Sequence, residues 1–374
     1  MNKRAISLGR LLGISIRLDY SWFLVFAFLT WSLAVSYYPF EIGGFDSIVY
    51  WILGALTAIM LFGSVLLHEL GHSVAALRYK IPVRRITLFI FGGVAEIGSE
   101  PPSASAEFFI AIAGPLVSFA LAALFSLIQI GIGASAPLLV LAKYLAMING
   151  SLALFNLIPG FPLDGGRVFR ALVWGITHNL HRATWLAANL GRAIGFLFIL
   201  FGVWQTVAGD PGGLWFAFIG WYLQGVAAGQ LQQETVQNLL AGHPVSEAMS
   251  QQYIRIPAEM TLQQASEGHW VSSIRHAFVV DNGGSIVGLL TEHEMDAVPP
   301  ERWSTTTVTW SMIPLARLHW VEPNTDIRTA AEEMARRGIP SLPVVADGKV
   351  LGIISREDVV QFLHRRQILR HAPA

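Results

Sequence analysis

The amino-acid sequence predicts a polytopic α-helical membrane protein, with about six transmembrane helices and a short membrane-associated β-hairpin, followed by a C-terminal α/β module. The chain of 374 residues is 53% hydrophobic and only 13% charged, which is too apolar for an ordinary soluble protein. Residues 1–230 contain 22 charged side chains, whereas the shorter segment 231–374 contains 28. The first part is therefore expected to lie in a membrane and the second part outside it.

Six segments of the first part are close to the length of about 20 apolar residues that a bilayer core requires. Lys and Arg side chains are concentrated in alternate loops, twelve on one side and none on the other, so the positive-inside rule predicts that both termini lie in the cytoplasm. No small-residue cleavage site follows the first segment, which argues against a signal peptide and fits a prokaryotic cytoplasmic membrane. The candidate segments are 20–38, 48–77, 106–131, 137–158, 190–208 and 213–231.

One stretch between the second and third segments does not have the pattern of a helix. Residues 83–97 are rich in β-branched and aromatic side chains and are interrupted by Gly92-Gly93, which is typical of a short β-hairpin. An apolar hairpin on the cytoplasmic side could enter the bilayer only where protein covers its backbone groups.

The tail contains an internal repeat of about 64 residues. Gly288-Leu-Leu-Thr291 in the first copy, for example, corresponds to Gly352-Ile-Ile-Ser355 in the second. Each copy has the pattern strand, helix, two strands and helix, and is too small to bury a core alone, so the two copies are expected to pair. The predicted organisation is a membrane domain at 1–231, a linker at 232–244, and repeat domains at 245–300 and 304–368.

Composition also excludes several classes of function. The chain has no cysteine, which removes disulfide scaffolds, Cys-ligated zinc, iron–sulfur centres and thiol catalysis. Its formal net charge is zero and it has no basic run, which argues against nucleic acid as a partner.

The sharpest chemical signal is His68-Glu-Leu-Gly-His72, inside the second segment. Positions i and i+4 of a helix lie on one face, so both imidazoles can bind one metal ion. Glu69 lies one step round the helix, where it could hold a water beside the metal and act as a base. The motif also arises by chance, but three ionisable groups in an apolar segment cost roughly a few kcal/mol each unless paired or hydrated, which favours a metal site.

A catalytic zinc usually has three protein ligands, so another intramembrane acid or imidazole is expected. Asp164 is the only acid between Glu107 and Asp210, and two prolines interrupt the fourth segment just before it. Backbone opened by Pro and Gly at membrane depth is tolerated only beside a water-lined cavity. An exposed aspartate in a Pro/Gly turn fits the composition equally well.

These motifs together resemble the site-2 protease family of intramembrane zinc metalloproteases. The resemblance rests on His68-Glu-Leu-Gly-His72 followed by Asn156-x-x-Pro-x-x-Pro-Leu-Asp164-Gly. It implies one zinc per chain, with His68, His72 and Asp164 as ligands and Glu69 as the general base. The implied activity is the cleavage of a membrane protein in or near its transmembrane segment, as in regulated intramembrane proteolysis.

Three further features match the same family. The resemblance implies that Asn156 orients substrate or stabilises an oxyanion, although a helix-end cap is an alternative role. The 83–97 hairpin, with Gly92 and Gly93, would contact an unwound substrate through an edge strand. Gly114-Pro115 matches a family motif in the third span; a simple helix kink is the alternative role.

The tail repeat resembles a tandem pair of cystathionine-β-synthase (CBS) domains. Such pairs bind ATP, ADP or AMP in many proteins, and the family pattern Gly-x-x-Ser/Thr-x-x-Asp is matched by Ser355 and Asp358. The first copy has Thr291 but Glu294 in place of the aspartate, which weakens that site. The alternative is that these residues cap helices in a module that only forms a homodimer.

The expected partners are the lipid bilayer and a single-pass membrane-protein substrate; by resemblance, a membrane-tethered anti-sigma factor or transcription regulator is plausible. Two other functions remain open at this point: a channel or transporter regulated by a CBS tail, and an inactive membrane sensor. The intact metal motifs and candidate base favour the protease, because a permeation path needs no His-Glu-x-x-His.

Overall fold

The computed structural model describes residues 5–90, 92–131, 136–251, 254–267, 276–280, 283, 286–346 and 349–371. Contacts along the chain divide it into two units, Met1–Glu234 and Thr235–Ala374. The connecting helix runs through Leu240, so most of the predicted linker 232–244 is helical.

The first unit begins with a β-sheet whose strands come from two distant parts of the chain. The predicted hairpin at 83–97 is confirmed as two antiparallel strands. An N-terminal hairpin, which the sequence analysis did not predict, pairs with it through a parallel contact. The sheet order is β1-β2-β3-β4, so β4 is an edge strand. The strands are β1 (Ala5–Leu11), β2 (Ile14–Asp19), β3 (Val83–Phe89) and β4 (Gly92–Ile97).

Eight α-helices accompany this sheet in the described part of the first unit. A short π-helical turn, Leu33–Tyr37, joins the first two into one continuous segment. The helices are α1 (Tyr20–Ser32), α2 (Tyr38–Glu41), α3 (Ser47–Arg78), α4 (Ala104–Gly131), α5 (Ala136–Asn156), α6 (Asp164–Thr177), α7 (Leu180–Val207) and α8 (Gly213–Leu240).

Within the described residues, five helical segments are long and apolar enough to cross a membrane: Tyr20–Glu41, Ser47–Arg78, Ala104–Ile130, Pro137–Asn156 and Leu180–Val207. The sixth predicted segment, 213–231, is helical but does not reach the same apolarity. Two glutamines, Gln224 and Gln230, and several Trp, Tyr and Gly residues dilute its aliphatic content. The fold class is that of a polytopic helical membrane protein, with five rather than six strongly apolar spans.

The sheet is anchored by packing against α3 and α4. Ile14 and Ile86 project into a core that includes Leu70 of α3 and Ile110 of α4. Gly71 allows the two helices to approach closely, because a Cβ there would lie 2.9 Å from the carbonyl oxygen of Ala113. The face of α3 that carries the His-Glu-x-x-His motif is therefore pressed between α4 and the sheet.

The second unit contains the two predicted copies of the repeat. The first copy consists of β5 (Ile254–Pro257), α9 (Leu262–Glu267), β6 (His276–Val280), β7 (Ile286–Thr291) and α10 (Glu292–Asp296). A short helix α11 (Val308–Ser311) and strand β8 (Ile313–Pro314) follow. The second copy has α12 (Ile327–Arg337), β9 (Ser341–Ala346), β10 (Lys349–Ser355) and α13 (Arg356–His371).

The two copies pack against each other, as their small size requires. Phe278 and Leu289 of the first copy share a buried cluster with Ile353 of the second. Equivalent glycines mark the contact: a Cβ on Gly288 would lie 2.8 Å from the Ile313 carbonyl oxygen, and one on Gly352 would lie 2.6 Å from that of Ser250. The copies therefore form one compact module.

Candidate active site

The two histidines of the motif lie on one face of α3 and are both buried, with 4% of each residue exposed. Their Nε2 atoms are 3.2 Å apart. Because one helical turn separates the two residues, both rings project from the same face of α3 and can reach a common ligand.

Asp164 reaches the same point from the start of α6. Its Oδ2 atom lies 3.1 Å from Nε2 of His68 and 3.2 Å from Nε2 of His72. Within the described residues these three side chains are the single group of three or more His, Asp or Glu residues that could share a metal ion. The structure thus brings together the three residues that the sequence analysis paired with a metal.

The loop before Asp164 is held by close backbone contacts that only glycine permits. A Cβ on Gly165 would lie 2.5 Å from the Ile158 carbonyl oxygen. The Phe161 amide donates a hydrogen bond to the Ala187 carbonyl at 3.2 Å, and Gly191 of α7 packs against Phe161. Apart from the exposed Pro159, the Pro/Gly-rich segment is therefore largely enclosed and supports Asp164, which is not an exposed aspartate.

The three atoms that face each other are Nε2 of His68, Nε2 of His72 and Oδ2 of Asp164, and they suit a divalent cation. The carbonyl of Ile110 can only accept, so Nδ1 of His72, 2.7 Å away, carries the proton and leaves a lone pair on Nε2. Nδ1 of His68 lies 2.9 Å from Ser118 Oγ. When this nitrogen donates to the serine hydroxyl, Nε2 of His68 also has a lone pair. Two imidazole lone pairs and a carboxylate oxygen then face each other, at separations close to the edge of about 3.3 Å expected for tetrahedral zinc.

Gly114 of α4 makes this cluster possible, a role that the sequence analysis did not identify. A Cβ at this position would lie 2.7 Å from Nε2 of His68 and closer still to Nε2 of His72. The glycine of Gly114-Pro115 therefore provides room for the two imidazoles. A small residue in an apolar helix is too common a signal to have revealed this contact from sequence.

Glu69 lies beside the cluster and faces a cavity. Its carboxylate makes no hydrogen bond or ion pair with any residue that the structure describes. Gly93 of β4 lies against it, since a Cβ on Gly93 would lie 2.5 Å from Glu69 Cγ. The hairpin and the carboxylate are thus adjacent, and the contact of Gly92 and Gly93 with substrate stays a prediction.

The cavity has a volume of about 720 Å³ and is mainly apolar, with a few convergent polar groups. Asn156, the last residue of α5, faces it, and its side chain makes no hydrogen bond with a described residue. Asn156 therefore does not cap α5. The polar or charged lining residues include His68, Glu69, His72, Asn156, Asp164, Arg167, Arg170, Tyr222 and Gln230.

Two arginines of α6 also line this cavity. Arg170 donates from Nε to Glu107 Oε1 at 2.6 Å, and its guanidinium lies 5.3 Å from the centre of the Phe161 ring. Glu107 is completely buried, so this ion pair joins α4 to α6. Arg167 makes no such pair with any described side chain, although it lies in the field of Asp164 and Glu69.

The nucleotide-binding candidates of the tail occupy helix caps. Ser355 is the residue before α13, and its amide and hydroxyl both donate to Asp358 Oδ2, at 2.8 and 2.6 Å. Thr291 occupies the same position before α10 and bonds to Glu294. Both hydroxyl residues are buried. Ser355 and Asp358 form a capping box, since the Asp358 amide also donates to the Ser355 hydroxyl at 3.1 Å. Thr291 is the N-cap residue of α10 but its side chain accepts no bond from a helix amide, so the first copy has only the side-chain bond to Glu294.

Comparison with known proteins gives the same division of the chain. The model for peptidase family M50 matches residues 56–136 and 124–202, and the CBS domain model matches residues 245–297 and 311–365.

Two proteins named as zinc metalloproteases are similar over nearly the whole chain. Rip3 of Mycobacterium tuberculosis is 36% identical over 99% of this chain and 95% of its own. The sll0528 protein of Synechocystis is 32% identical over 96% of this chain and 95% of its own.

Among solved structures, the site-2 protease of Methanocaldococcus jannaschii is 30% identical and covers 61% of this chain and 95% of its own, with a TM-score of 0.41. The full-length similarity to Rip3 confirms the resemblance drawn from the motifs. The chain belongs to peptidase family M50, as a multi-pass intramembrane zinc metalloprotease of the site-2 type with a C-terminal pair of CBS domains.

Proposed function

We propose that this protein hydrolyses a peptide bond in or near the transmembrane segment of a membrane-protein substrate, using one zinc ion held by His68, His72 and Asp164. The observation that carries this proposal is the set of three ligand atoms within 3.2 Å of one another, beside an unpaired glutamate, in a cavity among apolar helices. No permeation path requires that arrangement, which separates the protease from a channel or transporter.

The catalytic roles follow from the positions of the side chains. Zinc, when bound, supplies Lewis acidity that activates a water and polarises the scissile carbonyl. Glu69 accepts the proton of the attacking water and delivers it to the leaving amine, since its carboxylate faces the cavity without a partner among the described residues. Asn156 presents an amide to the substrate backbone. The bond from Nδ1 of His72 to the Ile110 carbonyl fixes the tautomer of that ring, and the bonds at Nδ1 hold the orientation of both rings.

Substrate reaches this site as an unwound segment, because a peptide bond inside an intact helix is shielded by its own hydrogen bonds. We propose that the free edge of β4 pairs with that segment, which satisfies its exposed backbone groups. Gly92 and Gly93 lie at the start of β4, where the absence of side chains leaves the backbone open beside Glu69.

The first test measures zinc per chain in detergent-purified wild type, His68→Ala, Glu69→Gln and Asp164→Asn. We expect about one zinc in wild type and Glu69→Gln, with loss in the other two, because Glu69 is adjacent to the ligand set and not part of it. Cleavage is measured on a pool of synthetic transmembrane peptides of about 25 residues, and only wild type should cut them. Zinc absent from every form, even with metal added during purification, contradicts the proposal.

We propose that the enzyme lies in the cytoplasmic membrane with both termini in the cytoplasm, where it takes part in regulated intramembrane proteolysis. The chain has no native cysteine, so single cysteines report sidedness directly. In intact cells, a membrane-impermeant thiol reagent should label Gly43→Cys and not Glu301→Cys. The reverse labelling in intact cells would invert the orientation.

We also propose that the CBS pair forms a homodimer and binds an adenine nucleotide, with Ser355 and Asp358 in the better site and Thr291 in the weaker one. The hydrogen bonds of Asp358 to Ser355 use Oδ2, so Oδ1 remains available to a ribose hydroxyl. Calorimetry of the full chain with ATP, ADP and AMP tests this. Binding that persists unchanged in Asp358→Asn would remove Asp358 from the site.

A further inference from the structure

The cavity is lined by two arginines of the same helix in opposite situations. Arg170 is engaged on both sides, by the buried carboxylate of Glu107 and by the face of Phe161. Arg167 makes no hydrogen bond or ion pair with any residue that the structure describes, yet it is largely enclosed and lines the cavity. A guanidinium has five N–H donors, and those of Arg167 are open to whatever enters the cavity.

Arg167 is also placed to act on the reacting atoms. It follows Asp164 by three residues on α6, so the two side chains emerge from the same face of the helix, about 5–6 Å apart at Cβ. The guanidinium interacts electrostatically with three carboxylates, most strongly with Glu107 and then with Asp164 and Glu69, and with the neighbouring Arg170. Asp164 and Glu69 are the two that flank the place of bond cleavage, one as a ligand and one as the base.

The entering substrate supplies the acceptor that Arg167 lacks. An unwound transmembrane segment has carbonyl oxygens without partners, and leaving them unpaired in an apolar cavity is costly. During hydrolysis the scissile carbonyl oxygen also gains negative charge, and a cation fixed in advance in a cavity of low dielectric stabilises that charge more than the neutral carbonyl.

We propose that Arg167 is a catalytic residue, whose guanidinium donates hydrogen bonds to the carbonyl oxygen of the scissile peptide bond and stabilises the negative charge that develops there. The inference rests on the proposed function, since it concerns the same site. It assigns to this chain a group that acts on the transition state and is separate from the metal ligands and the base.

A purely structural role makes a different prediction. Glu107 is buried and its Oε2 atom has no hydrogen-bond partner among the described residues. The structural role is that of a second counter-ion to Glu107, with which Arg167 interacts electrostatically. In that case its loss would lower the unfolding temperature and leave the turnover of the folded enzyme intact. The two roles are therefore distinguished by kcat, KM and stability measured on the same preparations.

The test compares wild type, Arg167→Gln, Arg167→Lys and Arg182→Gln on one fluorescence-quenched transmembrane peptide that wild type cleaves. Arg182 is exposed on α7 and serves as the matched control. We expect Arg167→Gln to lose about 10²–10³-fold in kcat with little change in KM and about one zinc retained. Arg167→Lys should fall between, because it keeps the charge without the planar fork. Arg182→Gln should match wild type.

A peptide phosphonamidate, which mimics the tetrahedral transition state, gives a second measurement. Its inhibition constant should rise in Arg167→Gln by the same factor by which kcat/KM falls, since both report transition-state binding. Wild-type kcat in Arg167→Gln, or lost activity that tracks lost zinc or lost folded protein, overturns the inference. A wild type that cleaves no peptide of the pool and resembles Glu69→Gln contradicts the proposed function instead.

Discussion

The metal cluster of the first unit and the helix caps of the second are both small groups of polar side chains that sequence patterns marked as ligand sites, but their internal chemistry differs. In the tail, Ser355 and Asp358 exchange hydrogen bonds and leave little unsatisfied. In the membrane unit, ligand atoms of His68, His72 and Asp164 converge on one point, and the remaining nitrogens of both rings are already bonded. The bonds within the Ser355–Asp358 pair indicate a structural role that a ligand can join, whereas the converging atoms of the first unit suit a metal ion.

Adding one methyl group to the metal cluster gives the largest expected effect. Gly114→Ala places a Cβ against Nε2 of both histidines, so we expect zinc affinity to fall about 10–100-fold and peptide cleavage to be lost with it. Gly63→Ala is the matched control, because a Cβ at Gly63 meets no atom within 4 Å. Zinc titration and cleavage by the two variants test this, and a zinc-replete, active Gly114→Ala would show that α4 can move away.

The buried ion pair between Arg170 and Glu107 lies between the two cases. Its members are bonded to each other, like those of the helix caps, but they carry charge inside the first unit, like those of the metal cluster. Arg170→Gln leaves a fully buried carboxylate without its partner, and we expect a loss of about 3–5 kcal/mol in the free energy of unfolding. The exposed pair of Lys143 and Glu41 is the comparison, and Lys143→Gln should cost about 1 kcal/mol or less. Unfolding of both variants in the same detergent measures the difference, and equal losses would contradict it.

The tail caps should matter for stability even without a ligand. Ser355→Ala removes the hydroxyl that receives the Asp358 amide, and we expect it to cost about 1 kcal/mol in the unfolding of the second unit. Thr291→Ser keeps the equivalent hydroxyl in the first copy and should cost less. Thermal unfolding of the full chain without nucleotide tests both variants. An unfolding temperature of the second unit that is unchanged in Ser355→Ala would place these residues in a purely ligand-binding role.

The smallest expected effect is a surface contribution that depends on pH. Hydrogen bonds from Arg337, with Arg336 beside it, hold the pKa of Glu333 below its usual range. A lowered pKa in the folded state stabilises at neutral pH and loses that stabilisation as the pH falls below about 4 and through the lowered value. Glu333→Gln should therefore lower the unfolding temperature slightly at pH 7 and converge with wild type in acid.

Much of the active site could be predicted because its pattern is local or chemically rare. His68 and His72 share one helix, so their meeting follows from helical periodicity. Asp164 is distant in sequence, but it is the only acid in a long apolar stretch. The close approach of Gly114 and the missing partner of Arg167 could not be predicted, because both depend on where α4 and α6 lie in space.

The N-terminal strands of the sheet show the same limit of prediction from sequence. Ile14, Ile16 and Leu18 alternate with Ser15 and Arg17, which is a strand pattern. The segment is short and joins directly to α1, so the alternation alone is too weak to predict a strand there. Its partner strand lies more than sixty residues later, beyond α3. Only the hairpin with its Gly-Gly interruption had a local signal strong enough to be predicted.

The parallel pairing of β2 with β3 has a consequence for how the enzyme is made. Two strands can run in parallel only when the chain between them crosses back over, and here that chain is α1 to α3. The ribosome must therefore deliver both helical segments to the bilayer before the sheet can close over Glu69. A nascent chain already carries His68 and His72 at that stage, but Asp164 is still to be synthesised. Biosynthesis itself thus delays proteolytic competence until most of the membrane unit has been inserted.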